Sequence, residues 1–416
     1  MNVLIAGQAF FRRDNGQAVF TVNLAHGLAK AGHHVLVIAP SENGTAYCQQ
    51  INKLTVQTVP TLLLPYNLNV TAFTDALVER ALITFAPDIV HIQDHYFLSR
   101  SVIRVARRYH IPVVGTNHFL PENLTDSLWN PRVLGQAMQK LMWHTMLTVY
   151  NTLDAVTTPT QTAVAILQQQ QLIPSAINIS CGVDASRFHP RPTLDRAAIR
   201  QQYGLATAKT MLLYVGRVDR EKCIDTIIRA LAQLRRTDLQ FVIAGKGRYL
   251  NALQQLCQRL GLAQQVIFTG FVPDADLPLL LNSADAFVMP SHAELQSIAT
   301  LEAMASGLPI LAANARALPE LVEPGSNGWL FAPQNADDAA QKILAWLNAR
   351  PQWATMGQAS LCKVEPHAHV RTIQHYATWY AQTRQATQAK PSIETGRSRT
   401  PQWQASLTAL LSQREP

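Results

Sequence analysis

Short apolar runs alternate with amphipathic stretches twice along this chain, and that alternation admits few folds. Residues 3–7 read as a strand. Residues 15–31 read as a helix, because Phe20, Leu24 and Leu28 fall four apart on one face, and Gly32 closes it. Further strands are expected at 34–39, 54–59, 88–92 and 111–116, with helices over about 98–109 and 132–150. The second half repeats the scheme, with strands at 211–215, 239–244, 266–269, 286–289 and 309–313. Helices fall between them near 223–234, 249–260, 277–282 and 297–306. Strands separated by helices require crossover connections and therefore parallel sheets. The expected class is α/β, with two doubly wound domains. They join near 179–192, where Gly182, Pro190 and Pro192 punctuate the chain. No short-period repeat is present.

Composition narrows the class of partner. The chain has 416 residues, enough for two or three domains of about 100–200 residues. Its 48% hydrophobic content excludes a disordered or collagen-like polypeptide. The net charge of +8 favours an anionic partner: a nucleotide, an anionic lipid or a nucleic acid. Cys48, Cys181, Cys223, Cys257 and Cys362 are odd in number and form no C-x-x-C pair. That argues against a disulfide framework or structural zinc and fits a reducing, cytoplasmic setting. No secretory leader is read at the start, and no run reaches the roughly 18 apolar residues that span a bilayer. Any membrane contact is expected to be peripheral. From residue 383 the chain turns Gln-, Thr- and Ser-rich and basic, which reads as a mobile tail over 383–416, with a short final helix near 403–411.

Chemistry concentrates at predicted strand ends. After strand 286–289 comes a loop with Glu294, then a helix from Ser297 to Gly307 carrying Glu302. The first amides of that helix, about Ser297, Ile298, Ala299 and Thr300, have no helical acceptors, so with the dipole they form an anion site. Amides on a diphosphate, one carboxylate on a ribose and the other on a sugar would suit a sugar nucleotide. The alternative is a surface helix with two solvated glutamates. After strand 211–215, Gly216 is followed by Arg217 and Lys222. Ligands of open parallel sheets sit at such carboxyl ends, and two cations there can neutralise a departing diphosphate without a metal. The alternative is a pair of surface cations matched to Asp219 and Glu221.

The first half offers weaker signals. His118 follows the 111–116 strand, Gly16 opens the first helix, and His91, Asp94 and His95 lie at the end of the 88–92 strand. No G-x-G-x-x-G fingerprint is present, and the histidines lack the spacing of a zinc site. Arg100, Arg104, Arg107 and Arg108 recur at helical spacing and make one positive face. It is either a solvated surface or a contact for anionic lipid heads.

On these residues the sequence resembles the retaining GT-B glycosyltransferases of glycosyltransferase family 4, over about residues 1–380. The E-x7-E motif is Glu294 and Glu302, and the G-R-x(4)-K segment is Gly216, Arg217 and Lys222. The joint matches at Cys181-Gly-Val-Asp184 with Phe188, and the nucleobase-side turn at Phe268-Thr-Gly270-Phe-Val272. The stretches 116–123 and 293–297 look most like the branch that glycosylates diacylglycerol. Two departures stand out: Gly16-Gln17 replaces the frequent Gly-Gly, and Gln296-Ser297 replaces the frequent Phe-Gly.

The resemblance implies two Rossmann-like domains facing each other across a cleft. An acceptor domain would span 1–184, a donor domain 185–366, and a helix at 367–382 would pack back on the first. It implies transfer of a hexose from a nucleotide-sugar, a UDP-sugar such as UDP-glucose, with retained anomeric configuration and no metal or other cofactor. Arg217 and Lys222 would stabilise the leaving diphosphate, Glu302 hold the ribose, Glu294 the sugar, and His118 contact the transferred sugar. Gly16, Gly216, Gly270, Val272, Ser297, Ile298 and Ala299 would complete the donor site. A lipid acceptor such as diacylglycerol, at the inner face of the cell membrane, would meet Asp94, His95 and the four arginines. A soluble sugar acceptor or a nucleotide-sugar epimerase would keep the fold and change the chemistry. A non-enzymatic nucleic-acid binder lacks any recognised module.

Overall fold

A computed structural model describes residues 1–11, 16–52, 54–63, 69–71, 74–122 and 132–389. Two separate parallel sheets organise them. In the first, the spatial order is Ala176–Asn178, Ala155–Thr158, Val113–Thr116, Ile89–Ile92, Asn2–Ala6, His34–Pro40, Leu54–Val59 and Cys48–Ile51. Its last strand runs antiparallel to its neighbour. In the second, the order is Val266–Gly270, Leu239–Ala244, Thr210–Val215, Ala286–Met289, Ile310–Ala313 and Gly328–Phe331, all parallel. In chain order that is 3-2-1-4-5-6, so the winding reverses between Thr210–Val215 and Ala286–Met289. Ligands bind at such a reversal.

The second-sheet strands read as near-continuous apolar runs because helices cover both faces. Leu212, Leu213, Phe241, Val242, Phe287, Val288 and Leu311 are all fully buried. Their core gathers residues from Val183 to Val364. The first sheet has its own clusters, and one of them takes in Ile373, Tyr376, Trp379 and Tyr380. These come from the helix His369–Ala389, which therefore returns to the first half of the chain. It lies against the helix Gly16–Lys30 so closely that a Cβ on Gly27 would fall 2.4 Å from Ile373 Cδ1. The two chain crossings between the halves run side by side: Val183 N–H donates to His367 O, and His369 N–H to Val183 O, each at 2.9 Å.

The expected strands and helices of both halves are present, most within two residues of their expected ends. The strands at Ala155–Thr158, Ala176–Asn178 and Gly328–Phe331 were not legible, being short and flanked by turn-forming residues. The change of composition at residue 383 is not the end of ordered chain. The last helix continues to Ala389, Thr383 is buried, and Arg384 pairs with Asp88 at 2.9 Å. The rest of the expected tail and its 403–411 helix lie outside the described residues. Among those described, no helix is long and apolar enough to cross a membrane.

Candidate functional site

The reversal point of the second sheet opens into a cavity of about 490 Å³. Thr210–Val215 delivers Gly216, Arg217 and Lys222 to its wall, and Ala286–Met289 delivers Glu294 and the helix Ile298–Ala305. Gly216 has φ +149°, a backbone that side-chain-bearing residues rarely adopt. Tyr214 O–H donates to Arg217 O at 2.7 Å and fixes this turn.

The two cations are already held by carboxylates. Lys222 Nζ lies 2.6 Å from Glu294 Oε1, with both side chains mostly buried. Arg217 is half exposed and pairs with Asp219 and, at 2.7 Å, with Glu221. Burial alone would push Glu294 up, but the Lys222 ammonium, a Ser291 hydrogen bond and Arg217 hold it below the usual carboxylate value. Lys222 has three N–H donors and Arg217 five, so each keeps donors for an arriving oxyanion. An arriving phosphate can therefore share these cations with the resident carboxylates.

Glu302 sits one turn into the helix, in the same cavity. Burial raises it to about 8, with Asp274 adding to the rise and Arg187 opposing it, so it is largely protonated at neutral pH. Ser297 caps the helix: its hydroxyl accepts from Thr300 N–H at 3.2 Å. The Thr300 amide is thus used within the cap, a correction to its expected place among the free amides. Gln296, Ser297, Ile298 and Ala299 line the cavity at this helix start.

The opposite wall comes from the first half of the chain. Gly16 faces the helix start, and a Cβ on it would lie 3.8 Å from Ile298 Cδ1. Two helix N-termini therefore meet across the cavity, and both dipoles favour an anion between them. Asn23, His26 and Lys30 also line it, with Arg187, Asp274 and His369. Sequence reasoning missed all six. A signal for the first three existed, since 16, 19, 23, 26 and 30 form a second helical stripe beside the Phe20–Leu24–Leu28 one.

Other expected site residues lie outside this cavity's lining. His118 Nε2 meets Gln93 Oε1 at 3.1 Å, its ring packs 4.6 Å from Phe20, and burial lowers it to about 3, so it is neutral. His91 is fully buried between Tyr380 and Thr116 at 2.6 and 2.7 Å, which makes it part of the core of the returning helix. Gly270 turns with φ +71°, Val272 packs into the second core, and Phe271 between them is exposed under Lys246. Asp94 is buried, accepting from Gln8 N–H at 2.6 Å and Ser99 O–H at 2.7 Å. His95 is buried beside it, with its ring 4.5 Å from that of Tyr96.

The arginine face is less positive than its spacing suggests. Arg104 makes two 2.7 Å bonds to Asp75, and Arg107 pairs with Asp154 at 2.9 Å. Arg100 donates to His95 O and Thr145 O, both at 3.1 Å. Arg108 is exposed. Among the described residues no group of His, Cys, Asp and Glu is arranged to hold a metal ion.

Comparison with known proteins gives two family matches. Residues 14–187 match the model described as Glycosyltransferase Family 4, and residues 195–360 match Glycosyl transferases group 1. The chain is 26% identical over 357 residues to the alpha-monoglucosyldiacylglycerol synthase of Streptococcus pneumoniae, covering 84% of this chain and 79% of that one. It is also 26% identical over 390 residues to a GDP-mannose-dependent alpha-mannosyltransferase of Corynebacterium glutamicum, covering 91% and 89%. The crystal structure of Anabaena Alr3699/HepE in complex with UDP-glucose superimposes with a TM-score of 0.75 at 20% identity, covering 92% of this chain and all of that one.

Proposed function

Because this chain belongs to the family-4-type GT-B glycosyltransferases, we propose that it transfers a hexose with retention from a UDP-sugar to a lipid acceptor such as diacylglycerol. The observation that carries the donor half is the cation–carboxylate cluster of Lys222, Glu294 and Arg217 facing two helix N-termini in one cavity. An entering diphosphate would take over donors of Lys222 and Arg217. As the glycosidic phosphate bond breaks, its charge would grow on the oxygen those cations already face. Glu294, freed from part of its bond to Lys222, would accept from sugar hydroxyls. Protonated Glu302 would donate to, as well as accept from, the ribose. The acceptor hydroxyl would attack from the leaving-group side and pass its proton to the departing phosphate oxygen, which preserves the anomeric configuration. No step in this sequence draws on a metal.

The acceptor half is supported by the similarity to the pneumococcal synthase along most of the chain. It is also supported by Tyr96 and Phe97, 41% and 60% exposed, directly after Asp94 and His95 at a strand end of the first sheet. Aromatic rings beside buried polar groups suit an acceptor with a hydroxyl on an acyl body. Membrane contact would then be apolar more than electrostatic, since Arg104 and Arg107 are matched by Asp75 and Asp154. A nucleotide-release screen over UDP- and GDP-sugars, with and without diacylglycerol vesicles, tests the whole reading. Release stimulated by vesicles, with an α-glycolipid product from an α-linked donor, is expected. Transfer only to soluble sugars would replace the acceptor, and absence of release from every donor would remove the reaction.

A further inference from the structure

The loop that carries Glu294 is gripped by the other half of the molecule. Leu295 is buried in a hydrophobic cluster of the first sheet. Its carbonyl accepts from Thr160 O–H at 2.9 Å. Gln296 is buried next to it, and its amide reaches entirely across the domain contact. Oε1 accepts from Cys181 N–H at 2.7 Å and from Ser180 O–H at 3.2 Å, while Nε2 donates to Pro159 O at 3.4 Å. Ser180 in turn is bonded to His367 at 2.8 Å, on the returning crossing. Glu320 adds a second tie, accepting from Gln161 and Thr162 N–H at 3.3 and 2.7 Å at the start of the helix Gln161–Gln169. Leu295 and Gln296, between Glu294 and the Ser297 helix start, are thus anchored from the first half, although the strand and helix they join belong to the second.

We propose that Gln296 is a positioning residue whose amide sets Glu294 and the Ser297 helix start through its bonds to residues 159, 180 and 181, so that donor affinity depends on contact between the two halves. Gln296 stands where the resemblance expects an aromatic residue, and an aromatic ring would make none of these bonds. The proposal extends the donor reading of the cavity. Its physical core is separable from that reading, because the loop is held whether or not a nucleotide is the ligand.

The experiment compares full-length Gln296→Met, Thr160→Val and Thr160→Ser with the parent. Gln296→Met keeps length and burial but no amide. Thr160 lies outside the cavity lining; its hydroxyl donates to Leu295 O and also caps the helix Gln161–Gln169 by accepting from Ala163 N–H at 3.2 Å, and serine restores both bonds. Hydrogen exchange of residues 294–302 is expected to quicken about fivefold in Gln296→Met and Thr160→Val, as when a hydrogen bond worth about 1 kcal/mol is lost, and to stay at the parent rate in Thr160→Ser. The calorimetric Kd for UDP is expected to rise by about the same factor in the first two, with donor KM following and kcat falling less. Unchanged exchange in both variants overturns the positioning role. Faster exchange with an unchanged Kd overturns the link to donor affinity. If Gln296→Met does not fold, Thr160→Val against Thr160→Ser decides: exchange quickened over residues 294–302 supports the Leu295 bond, and exchange quickened only in the helix Gln161–Gln169 marks the lost cap and overturns the positioning role. A parent that binds no nucleoside diphosphate, with exchange still quickened, refutes the donor reading and leaves the loop anchor standing.

Discussion

Two groups of cations are spaced along this chain in ways that admit a functional reading, and the fold treats them oppositely. Arg217 and Lys222 sit at a strand end, inside a cavity, where their carboxylate partners can be exchanged for a ligand. Arg104 and Arg107 sit on a helix flank, where Asp75 and Asp154 meet them from distant parts of the chain. Asp75 is held down at about 2 by its bonds to Arg104, which shows how fully that charge is engaged. Spacing along a helix tells which face a charge occupies. Only the fold tells whether an acid is waiting there, and a functional cation is one whose partner shares its cavity with the ligand.

The sharpest test of that contrast is removal of the cavity cations. Lys222→Ala is expected to lower kcat about 10²–10³-fold, the cost of losing one preorganised donor to a developing oxyanion. It also strips Glu294 of its chief counterion. With burial opposed only by the Ser291 hydrogen bond and Arg217, the Glu294 carboxyl rises from its depressed value, so the acid limb of the pH–rate profile moves to higher pH. Stability follows the same sign. The lowered Glu294 stabilises the parent above the ordinary carboxylate value and loses that contribution as pH falls through its folded value, and Lys222→Ala diminishes the effect. Arg217→Ala is expected to be milder because Arg217 is half exposed. Equal activity in either variant would put both groups of cations in the same class.

On the acceptor side, exposed apolar surface replaces charge as the expected contact. Phe97→Ser is expected to lower transfer into vesicles about tenfold, from the loss of roughly 1.5 kcal/mol of apolar contact, and to leave nucleotide binding alone. An unchanged transfer rate would return the acceptor question to the arginines. Glu302 gives a smaller, pH-dependent test on the donor side. Because burial raises it to about 8, the empty protein is expected to lose stability as pH rises from about 4.5 towards 8, where the unfolded chain has already given up this proton. Glu302→Gln is expected to flatten that slope in thermal melts from pH 5 to 8.

The parts of this molecule legible beforehand share a physical cause. Strands such as Leu239–Ala244 and Ala286–Met289 are apolar because helices cover both faces, so their runs mark their own ends. Cavity-lining residues at those ends inherit the same legibility, hence Gly216, Lys222, Glu294 and Glu302. What stayed hidden depends on contacts between distant segments. The Asn23–His26–Lys30 stripe gains meaning only when the second half folds against it. Gln296 looks like an unremarkable polar substitution until Pro159, Ser180 and Cys181 surround its amide. Thr383 looked like the start of a polar tail, yet it is buried on a helix whose Ile373, Tyr376 and Tyr380 cluster with Val3 and Ile5 of the first strand.

The arginine helix supplies the smallest expected effect and the cleanest way to break the comparison. In Arg104→Ala the Asp75 carboxylate keeps its bond from Ser101, and the pair is partly exposed, so the loss of stability is expected to stay within about 1 kcal/mol. Arg107→Ala is expected to cost somewhat more. Asp154 is only 10% exposed and keeps one bond, from Val113 N–H, so a partly desolvated carboxylate is left short of a counterion. If these arginines serve the fold, both variants lower the melting temperature by a few degrees and bind anionic vesicles as the parent does. If they serve a membrane, the order inverts: sedimentation with vesicles weakens by about 1 kcal/mol for each charge removed while the melting temperature holds. The double variant separates the cases further. Arg104 and Arg107 have separate acidic partners, so their stability losses should add, whereas loss of vesicle affinity would deepen with every charge and fade in high salt.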